Sequence, residues 1–140
     1  MRRLIYLSTA SQLMSTNDIL ELLKECRGAN TQHNITGFLI YYDGCFVQVI
    51  EGASENISAL WENIQKDQRH HNLILINDSE IEKNEFPNWS MGFINISTAQ
   101  ASKHLGGVAI NSSQDLEKYV KNPGIALKFL QGFALSYTGD

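Results

Sequence analysis

The sequence predicts an α+β fold: a ferredoxin-like βαββαββ mixed sheet with two helices on one face. Three observations predict it. Strand-like and helix-like segments follow in that order between residues 3 and 96, Asp43-Gly44 marks a two-residue hairpin, and the strands are apolar on both faces. Right-handed crossovers place both helices on one face of such a sheet. Because the strands are apolar on both faces, we expect C-terminal helices to cover the other face.

The first half of the chain contains three predicted strands and one helix. Residues 3–8 alternate and are rich in strand formers, so they form the first strand. Ser15 begins a run of N-cap residue types, and apolar residues at helical spacing continue the helix to about Arg27. Residues 35–42 form the second strand, and after the hairpin turn residues 45–51 return as the third.

The second half of the sheet adds a helix and two strands. Ser54 is predicted to cap a helix whose apolar positions recur at helical spacing. Residues from about 73 to 81 form the fourth strand, and residues 89–96 form the fifth after a loop containing Pro87. In this topology we expect the first and third strands to be parallel neighbours at the centre of the sheet.

Residues beyond 97 are predicted to form a helical extension of the same globular unit. Residues 111–120 have the pattern of a short helix. Pro123 suits a helix start, and the residues after it are apolar nearly all round, as in a helix that packs on a sheet or another subunit. The predicted division is therefore a domain at residues 1–97 and an extension at residues 98–140.

Composition argues against several classes of protein. The net charge is −4 and no basic stripe is present, so nucleic-acid binding is not expected. Cys26 and Cys45 fit no metal or redox spacing, which is typical of reduced thiols in a cytoplasmic protein. The apolar run after Arg2-Arg3 is too short for a signal peptide, and no transmembrane stretch follows. We expect a cytoplasmic protein that binds neither nucleic acid nor a membrane.

The titratable residues predict no metal site and no catalytic triad. The histidines lack ligand spacing to a cysteine or carboxylate cluster, and the His70-His71 pair is expected to be exposed. No nucleophile motif supports a Ser-His-Asp or Cys-His arrangement. Acidic residues fall mostly on predicted helix surfaces and turns, which is typical of a solvated face. We therefore expect no enzymatic activity from these groups.

Gln48 is a polar residue in the middle of an apolar predicted strand. It shares one strand face with Phe46 and Ile50, because side chains alternate. A buried amide must satisfy its donors and acceptors, so Gln48 needs a polar partner. Tyr6 lies on the adjacent predicted strand, and the partner is either this phenol or a ligand.

Other polar and aromatic residues each have a structural and a functional interpretation. Asn30, in helical phase with the apolar face of the first helix, is either a helix C-cap or turn residue or a ligand contact. Asp67 and Arg69 form either a surface ion pair or part of a site. Trp89 and Met91 are either core residues or part of a site. Together they describe a polar-edged slot suited to a flat ring with amide edges.

Five segments carry a resemblance to a known family. The chain resembles a BLUF domain, a blue-light sensor that uses FAD, and the short remainder resembles the C-terminal helices of stand-alone BLUF proteins. The segments occur in the family's order over about the first two-thirds of the chain, at residues 3–8 (Arg-Leu-Ile-Tyr-Leu-Ser), 34–39 (Asn-Ile-Thr-Gly-Phe-Leu), 46–52 (Phe-Val-Gln-Val-Ile-Glu-Gly), 67–70 (Asp-Gln-Arg-His) and 86–91 (Phe-Pro-Asn-Trp-Ser-Met).

The resemblance implies a photochemical role for two residues. Tyr6 would give an electron and then a proton to the excited flavin. Gln48 would bridge Tyr6 and the flavin, and would reorganise after light by rotation or tautomerisation. A stronger hydrogen bond to the flavin carbonyl in the lit state would shift its absorption to the red.

The resemblance also implies which residues hold the cofactor, FAD, with FMN or riboflavin as substitutes. Asn30 would bind the pyrimidine edge, Ile64 would pack on the ring, and Asp67 and Arg69 would meet its polar side. Trp89 and Met91 would relay the change to the fifth strand. Two departures from the family, Ala29 and Asn34, concern details of cofactor contact and lit-state lifetime.

The predicted function is blue-light sensing without a catalytic activity of its own. The chain is too short for a BLUF domain plus an effector enzyme, so we expect output through a protein partner or a homo-oligomer. Two alternatives share the fold: a light-blind small-ligand regulatory module and an acylphosphatase-like hydrolase. The hydrolase would need an anion cradle near Arg2 and Arg3.

Overall fold

The computed structural model describes residues 1–137. Five strands form one sheet in the order β4-β1-β3-β2-β5, and five helices pack around it. The elements are β1 (Arg2–Ala10), α1 (Thr16–Gln32), β2 (Thr36–Tyr42), β3 (Cys45–Gly52), α2 (Ser54–Lys66), β4 (His70–Glu80), β5 (Gly92–Asn95), α3 (Thr98–His104), α4 (Ser113–Val120) and α5 (Pro123–Ser136).

The strand directions correct one prediction within the confirmed fold class. β1 and β3 are neighbours, but they run antiparallel, with Tyr6 opposite Gln48. The α1 crossover makes β1 and β2 run in the same direction, and the hairpin then reverses β3. The predicted parallel pairing was therefore wrong, whereas the central position of both strands was right. β5 pairs in parallel with β2 and completes a mixed sheet.

Both faces of the sheet are covered, as the apolar strands predict. One face packs against α1 and α2, through a cluster that contains Leu4, Leu39 and Ile50 of the sheet and Ile19, Leu23 and Ile57 of the helices. The other packs against the C-terminal helices, through Ile5, Leu7, Phe38, Val47 and Val49 of the sheet and Leu116, Val120, Phe129 and Phe133 of α4 and α5. Two apolar layers on a two-sided sheet make one continuous structural unit.

Two helix termini differ from prediction. α1 continues past Arg27 to Gln32, so Asn30 lies inside its last turn, and His33 is the C-cap. Ser54 is the first residue of α2 and not its cap, because Ala53 occupies the cap position and offers no side-chain acceptor. Ser15 caps α1 as predicted, and it forms a capping box with Asp18.

Two strands differ from prediction in length. β4 begins earlier, at His70, because its first residues pair with the end of β1. β5 begins only at Gly92, so Trp89 and Met91 lie in the loop before it. A Cβ at Gly92 would lie 2.4 Å from the Phe38 ring, so pairing with β2 starts where the backbone can approach that ring.

The predicted hairpin between β2 and β3 is confirmed. Asp43 and Gly44 have φ values of 46° and 77°, which a type I′ turn requires at both central positions. This turn sets the register that places Gln48 opposite Leu39 on one side and Tyr6 on the other. The local turn chemistry thereby positions the central polar residue of the sheet.

Candidate functional site

A cavity of about 260 Å³ lies between the sheet, α1 and α2. Its walls are mostly apolar, with polar groups at one end and at the rim. This combination is typical of small-molecule sites. The lining residues are Tyr6, Ser8, Leu22, Glu25, Cys26, Ala29, Asn30, Leu39, Phe46, Gln48, Leu60, Asn63, Ile64, Asp67, Arg69 and His70.

Three buried side chains form a chain of hydrogen bonds beside the cavity, and two of them, Tyr6 and Gln48, line it. The Tyr6 hydroxyl donates to Gln48 Oε1, and Gln48 Nε2 donates to Met91 Sδ at 3.5 Å. Tyr6 is 2% and Gln48 7% exposed. The Tyr6 bond directs the amide oxygen toward β1 and the amide nitrogen toward Met91. A thioether is a weak acceptor, so the Gln48 N–H retains capacity for a stronger partner.

Burial keeps the Tyr6 phenol protonated. Desolvation raises the pKa of Tyr6 well above its ordinary value, and the negative potentials of Cys26 and Asp67 add to the effect. The phenol is therefore a hydrogen-bond donor at neutral pH. Its ring also packs against Trp61 of α2, with centroids 5.1 Å apart.

Asn30 lies at the polar end of the cavity. It is 2% exposed, and its Nδ2 donates to the backbone carbonyl of Ser90 at 2.6 Å. The alternative role of Asn30 as the C-cap is wrong, because His33 is the C-cap of α1. One amide of the site therefore lies on α1 and holds the loop that carries Met91.

Asp67 and Arg69 form an ion pair at the rim of the cavity. Arg69 Nη2 lies 2.5 Å from Asp67 Oδ2, and Arg69 Nη1 lies 2.9 Å from Glu25 Oε2. The hydrogen bond from Arg69 lowers the pKa of Asp67 below its usual value. The two interpretations of Asp67 and Arg69 are therefore compatible, because the residues form an ion pair at the surface and both side chains line the cavity.

His70 contradicts the expectation that it is solvent-exposed. It is half-buried and lines the cavity together with Ile64. Its Nε2 donates to the Ile64 carbonyl at 2.7 Å, and its Nδ1 lies 2.9 Å from Ser8 Oγ. The face that Ser8 shares with Tyr6 could have suggested Ser8 from the sequence, whereas His70 was only the last residue of the segment 67–70 and no role was predicted for it.

Trp89 and Met91 lie on opposite sides of the sheet. Met91 is 1% exposed and belongs to the cluster beneath α1 and α2, next to Gln48. Trp89 packs on the other side, with its ring centroid 5.7 Å from Phe38 and 5.4 Å from Tyr137. Met91 therefore contacts Gln48 on the cavity side without lining the cavity, whereas the Trp89 ring packs on the other side, so the two residues predicted to act together are separated.

The arginines near the first strand do not form an anion cradle. Arg2 Nε and Nη2 bond to Asp78, each at 2.8 Å, and Arg3 Nε bonds to Glu51 at 2.9 Å. In residues 1–137, no group of three or more potential ligands is arranged to hold a metal ion. Over the same residues, no helix is long and apolar enough to cross a membrane.

A family model described as "BLUF: Sensors of blue-light using FAD" matches residues 1–92. The chain is also 32% identical over 89 residues to the photoactivated adenylate cyclase subunit beta of Euglena longa. That alignment covers 63% of this chain but only 10% of the cyclase subunit. The similarity therefore concerns a small sensory part of a much longer protein.

Two solved structures are similar over nearly the whole chain. "BlsA photo-activated state" has a TM-score of 0.83 and 27% identity, and covers 99% of this chain and 98% of that one. "BlrB - a BLUF protein, dark state structure" has a TM-score of 0.78 and 24% identity, and covers 97% and 96%. The first likeness extends through the C-terminal helices, and the second supports the fold alone.

Proposed function

The chain belongs to the BLUF family, the sensors of blue light using FAD, and we propose that Tyr6 and Gln48 form its light-driven switch. The observation that carries the proposal is the buried chain of hydrogen bonds from Tyr6 through Gln48 to Met91, in which Tyr6 and Gln48 line the cavity. It offers a donor phenol, an amide with two different ends and a weakly bonded N–H at one place. These are the parts that a hydrogen-bond switch needs.

The residues of the cavity fit a flavin. A flavin ring has donors and acceptors along one edge, and the amides of Asn30 and Gln48 supply both kinds of group. Ile64 and the other apolar walls suit the flat ring, while Asp67 and Arg69 at the rim suit the polar side chain of the cofactor. We propose these five residues as the flavin contacts. FAD is the family's cofactor, and FMN or riboflavin share the same ring.

The switch starts at the Tyr6 hydroxyl. Bound FAD would supply blue-light absorption and an electron acceptor. Tyr6 would be the donor of the electron, and its existing hydrogen bond gives its phenol proton a path toward Gln48 Oε1. The Gln48 amide would then exchange its donor and acceptor ends, by rotation or by tautomerisation, while the electron and the proton return to Tyr6. The lasting change is therefore in the hydrogen bonds of Gln48.

A reversed amide would lose the bond to Met91, and Gln48 would then bond more strongly to a carbonyl of the bound flavin. Because Met91 lies in the loop before β5, its release changes that loop and the strand that follows. We propose that Trp89, which packs on Phe38 and Tyr137, takes part in this change from the other side of the sheet. A local rearrangement would thereby reach α5.

The output is proposed to be a protein contact rather than a reaction of this chain. In the cyclase subunit of Euglena longa the similar segment is only 10% of the protein. We propose β5 and the helices α3–α5 as the surface that meets a downstream signalling protein or a second copy of the chain. The unpaired thiols of Cys26 and Cys45 suit a cytoplasmic location.

The test is the absorption of the purified protein before and after blue light. A yellow protein whose flavin band shifts reversibly to the red supports the proposal, and Gln48→Leu should retain the flavin but lose the shift. Bound flavin without a red shift in the natural sequence would rule out the switch. A protein that takes up no flavin would instead favour a light-blind regulatory module.

A further inference from the structure

The Gln-Val-Ile-Glu-Gly segment contains a second buried polar residue to which the switch assigns no part. Glu51 is 0% exposed, and it is the one buried carboxylate among residues 1–137. It lies three residues after Gln48 on β3. An ionised carboxylate at such a position is costly unless all its bonds are satisfied.

The Glu51 carboxylate bonds to two different parts of the molecule. Oε2 accepts from Arg3 Nε of β1 at 2.9 Å. Oε1 accepts from the backbone N–H groups of Glu85 and Phe86, both at 2.9 Å, and the Glu85 N–H also bonds to Oε2 at 3.2 Å. The ion pair neutralises the charge within the sheet, while the bonds from the two N–H groups hold the loop between β4 and β5.

That loop leads directly to Met91. Phe86, the residue bonded to Glu51, is fully buried and stacks with Phe38. From there the chain crosses to the cavity side, where the Ser90 carbonyl accepts from Asn30 and Met91 Sδ accepts from Gln48. Glu51 therefore fixes the start of a short segment whose end contacts the switch.

We propose that Glu51 is a positioning residue that sets where Met91 lies against Gln48, and thereby the lifetime of the lit state. The inference rests on the proposed function of Gln48. Held at residues 85–86, the loop can place Met91 in a narrow range of positions. Without the Glu51 carboxylate, the buried Phe86 N–H and the partly buried Glu85 N–H lose their acceptor, and the segment must find another path.

The test compares two double variants that are both neutral at the ion pair. Arg3→Gln/Glu51→Gln retains an amide oxygen for the loop, whereas Arg3→Leu/Glu51→Leu removes it. Since the chain has only 3 methionines, methyl-labelled methionine gives a separate NMR signal for Met91, with Met1 and Met14 as internal references. We expect the dark-state Met91 signal to keep its natural position in the first variant and to move or split in the second.

The rate of dark recovery is the second measurement. We expect it to differ between the two variants by about 2- to 30-fold, the range for residues that modulate coupling without touching the ligand. The proposal requires both effects, and either an unmoved Met91 signal or equal recovery rates would overturn it. A purely structural role would lower the melting temperature of the second variant without changing either quantity.

Amide hydrogen exchange in the natural protein decides the matter if the leucine variant fails to fold. The Glu85 and Phe86 N–H groups should be protected in the dark, because their acceptor is a fully buried carboxylate. Exchange as fast as in exposed loops would overturn the proposal. Absence of a red shift in the natural protein would instead contradict the proposed function of Gln48. The Met91 NMR signals would still show whether Glu51 positions Met91.

Discussion

The Gln48 amide has one strong and one weak partner. Its oxygen accepts from a buried phenol, while its nitrogen donates only to a thioether. The strong bond sets the orientation of the amide in this structure, and the weak one costs little to break. Reversing the amide would break both bonds, and because the Met91 thioether has no proton to donate, the Gln48 oxygen would need another donor; a buried oxygen without one is costly.

At this scale, Tyr6→Phe tests the electron and proton donor. We expect flavin binding to persist and the red-shifted state to be absent, because Phe keeps the ring packing on Trp61 but has no hydroxyl. Blue-light difference absorption measures the result. Trp61→Phe is the matched control, which alters the same aromatic contact and should retain the red shift. Full photoconversion of Tyr6→Phe would rule out Tyr6 as the required donor.

The pH dependence of the photoresponse also follows from the burial of the Tyr6 phenol. Burial holds the pKa of Tyr6 well above its ordinary value, so the photoresponse should not fall from loss of this proton up to about pH 10. The unfolded chain releases the same proton near its ordinary pKa. Stability contributed by Tyr6 is therefore complete below that pH and is lost as the pH rises above it.

At the scale of elements, Gly37 is where the β4–β5 loop contacts β2. Its N–H donates to the Trp89 carbonyl at 3.1 Å, and a Cβ there would lie 2.2 Å from the Val49 carbonyl oxygen. We expect Gly37→Ala to lower the free energy of unfolding by about 1–3 kcal/mol. Urea denaturation measures this.

Gly28 provides the control for that substitution. It is a helical glycine of α1, and nothing lies within 4 Å of a Cβ at its position. Gly28→Ala should therefore raise the free energy of unfolding by about 0.5–1 kcal/mol. Equal stability of the two alanine variants would contradict the close approach at Gly37.

The start of α2 is a second element with a measurable weakness. Ala53 has the extended backbone of a cap residue, with φ −62° and ψ 141°, but no side-chain acceptor. Ala53→Ser should stabilise the protein by about 1 kcal/mol and leave the photoresponse unchanged. Thermal unfolding checks it, with Ser15→Ala at the capped start of α1 expected to cost a similar amount. No gain at Ala53 would show that the N-terminus of α2 is already satisfied.

At the scale of the whole molecule, the C-terminal helices are needed to cover the sheet. They bury an apolar face that contains Phe38, Val47 and Val49. We expect removal of residues 98–140 to cause self-association, measured by size-exclusion chromatography with light scattering. Leu135→Glu, which changes a 90% exposed side chain on α5, is the control and should not aggregate. A well-dispersed monomeric truncation would contradict this role.

Much of this architecture could be predicted from the sequence because local signals determined it. The alternating strands, the Asp43-Gly44 turn and the capping residue Ser15 act over a few residues, and all three are found as predicted. The predicted direction of β3 relative to β1 was wrong, because that direction follows from the combination of a crossover and a hairpin and not from a local signal. The predicted end of α1 was wrong because the helix continues through Gly28, although glycine is a residue type common at helix ends.

Many of the residues that line the cavity could be predicted from the sequence, but their positions relative to one another could not. The residues chosen from the family resemblance line the cavity or contact Gln48, except for Trp89. The opposite placement of Trp89 and Met91 depends on how the β4–β5 loop crosses the sheet, and no local pattern encodes that path. Glu51 and His70 were missed for a similar reason, because Glu51 bonds to the Phe86 N–H and His70 contacts Ser8, and both partners lie far away in sequence.

The central claim is that light changes the hydrogen bond between Gln48 and the flavin carbonyl. The most direct test is the light-minus-dark infrared difference spectrum of the flavin C4 carbonyl stretch in the natural protein and in Gln48→Leu. We predict a shift to lower frequency on illumination of the natural protein and no such shift in the variant, with flavin bound to both. An equal shift in Gln48→Leu would contradict the claim.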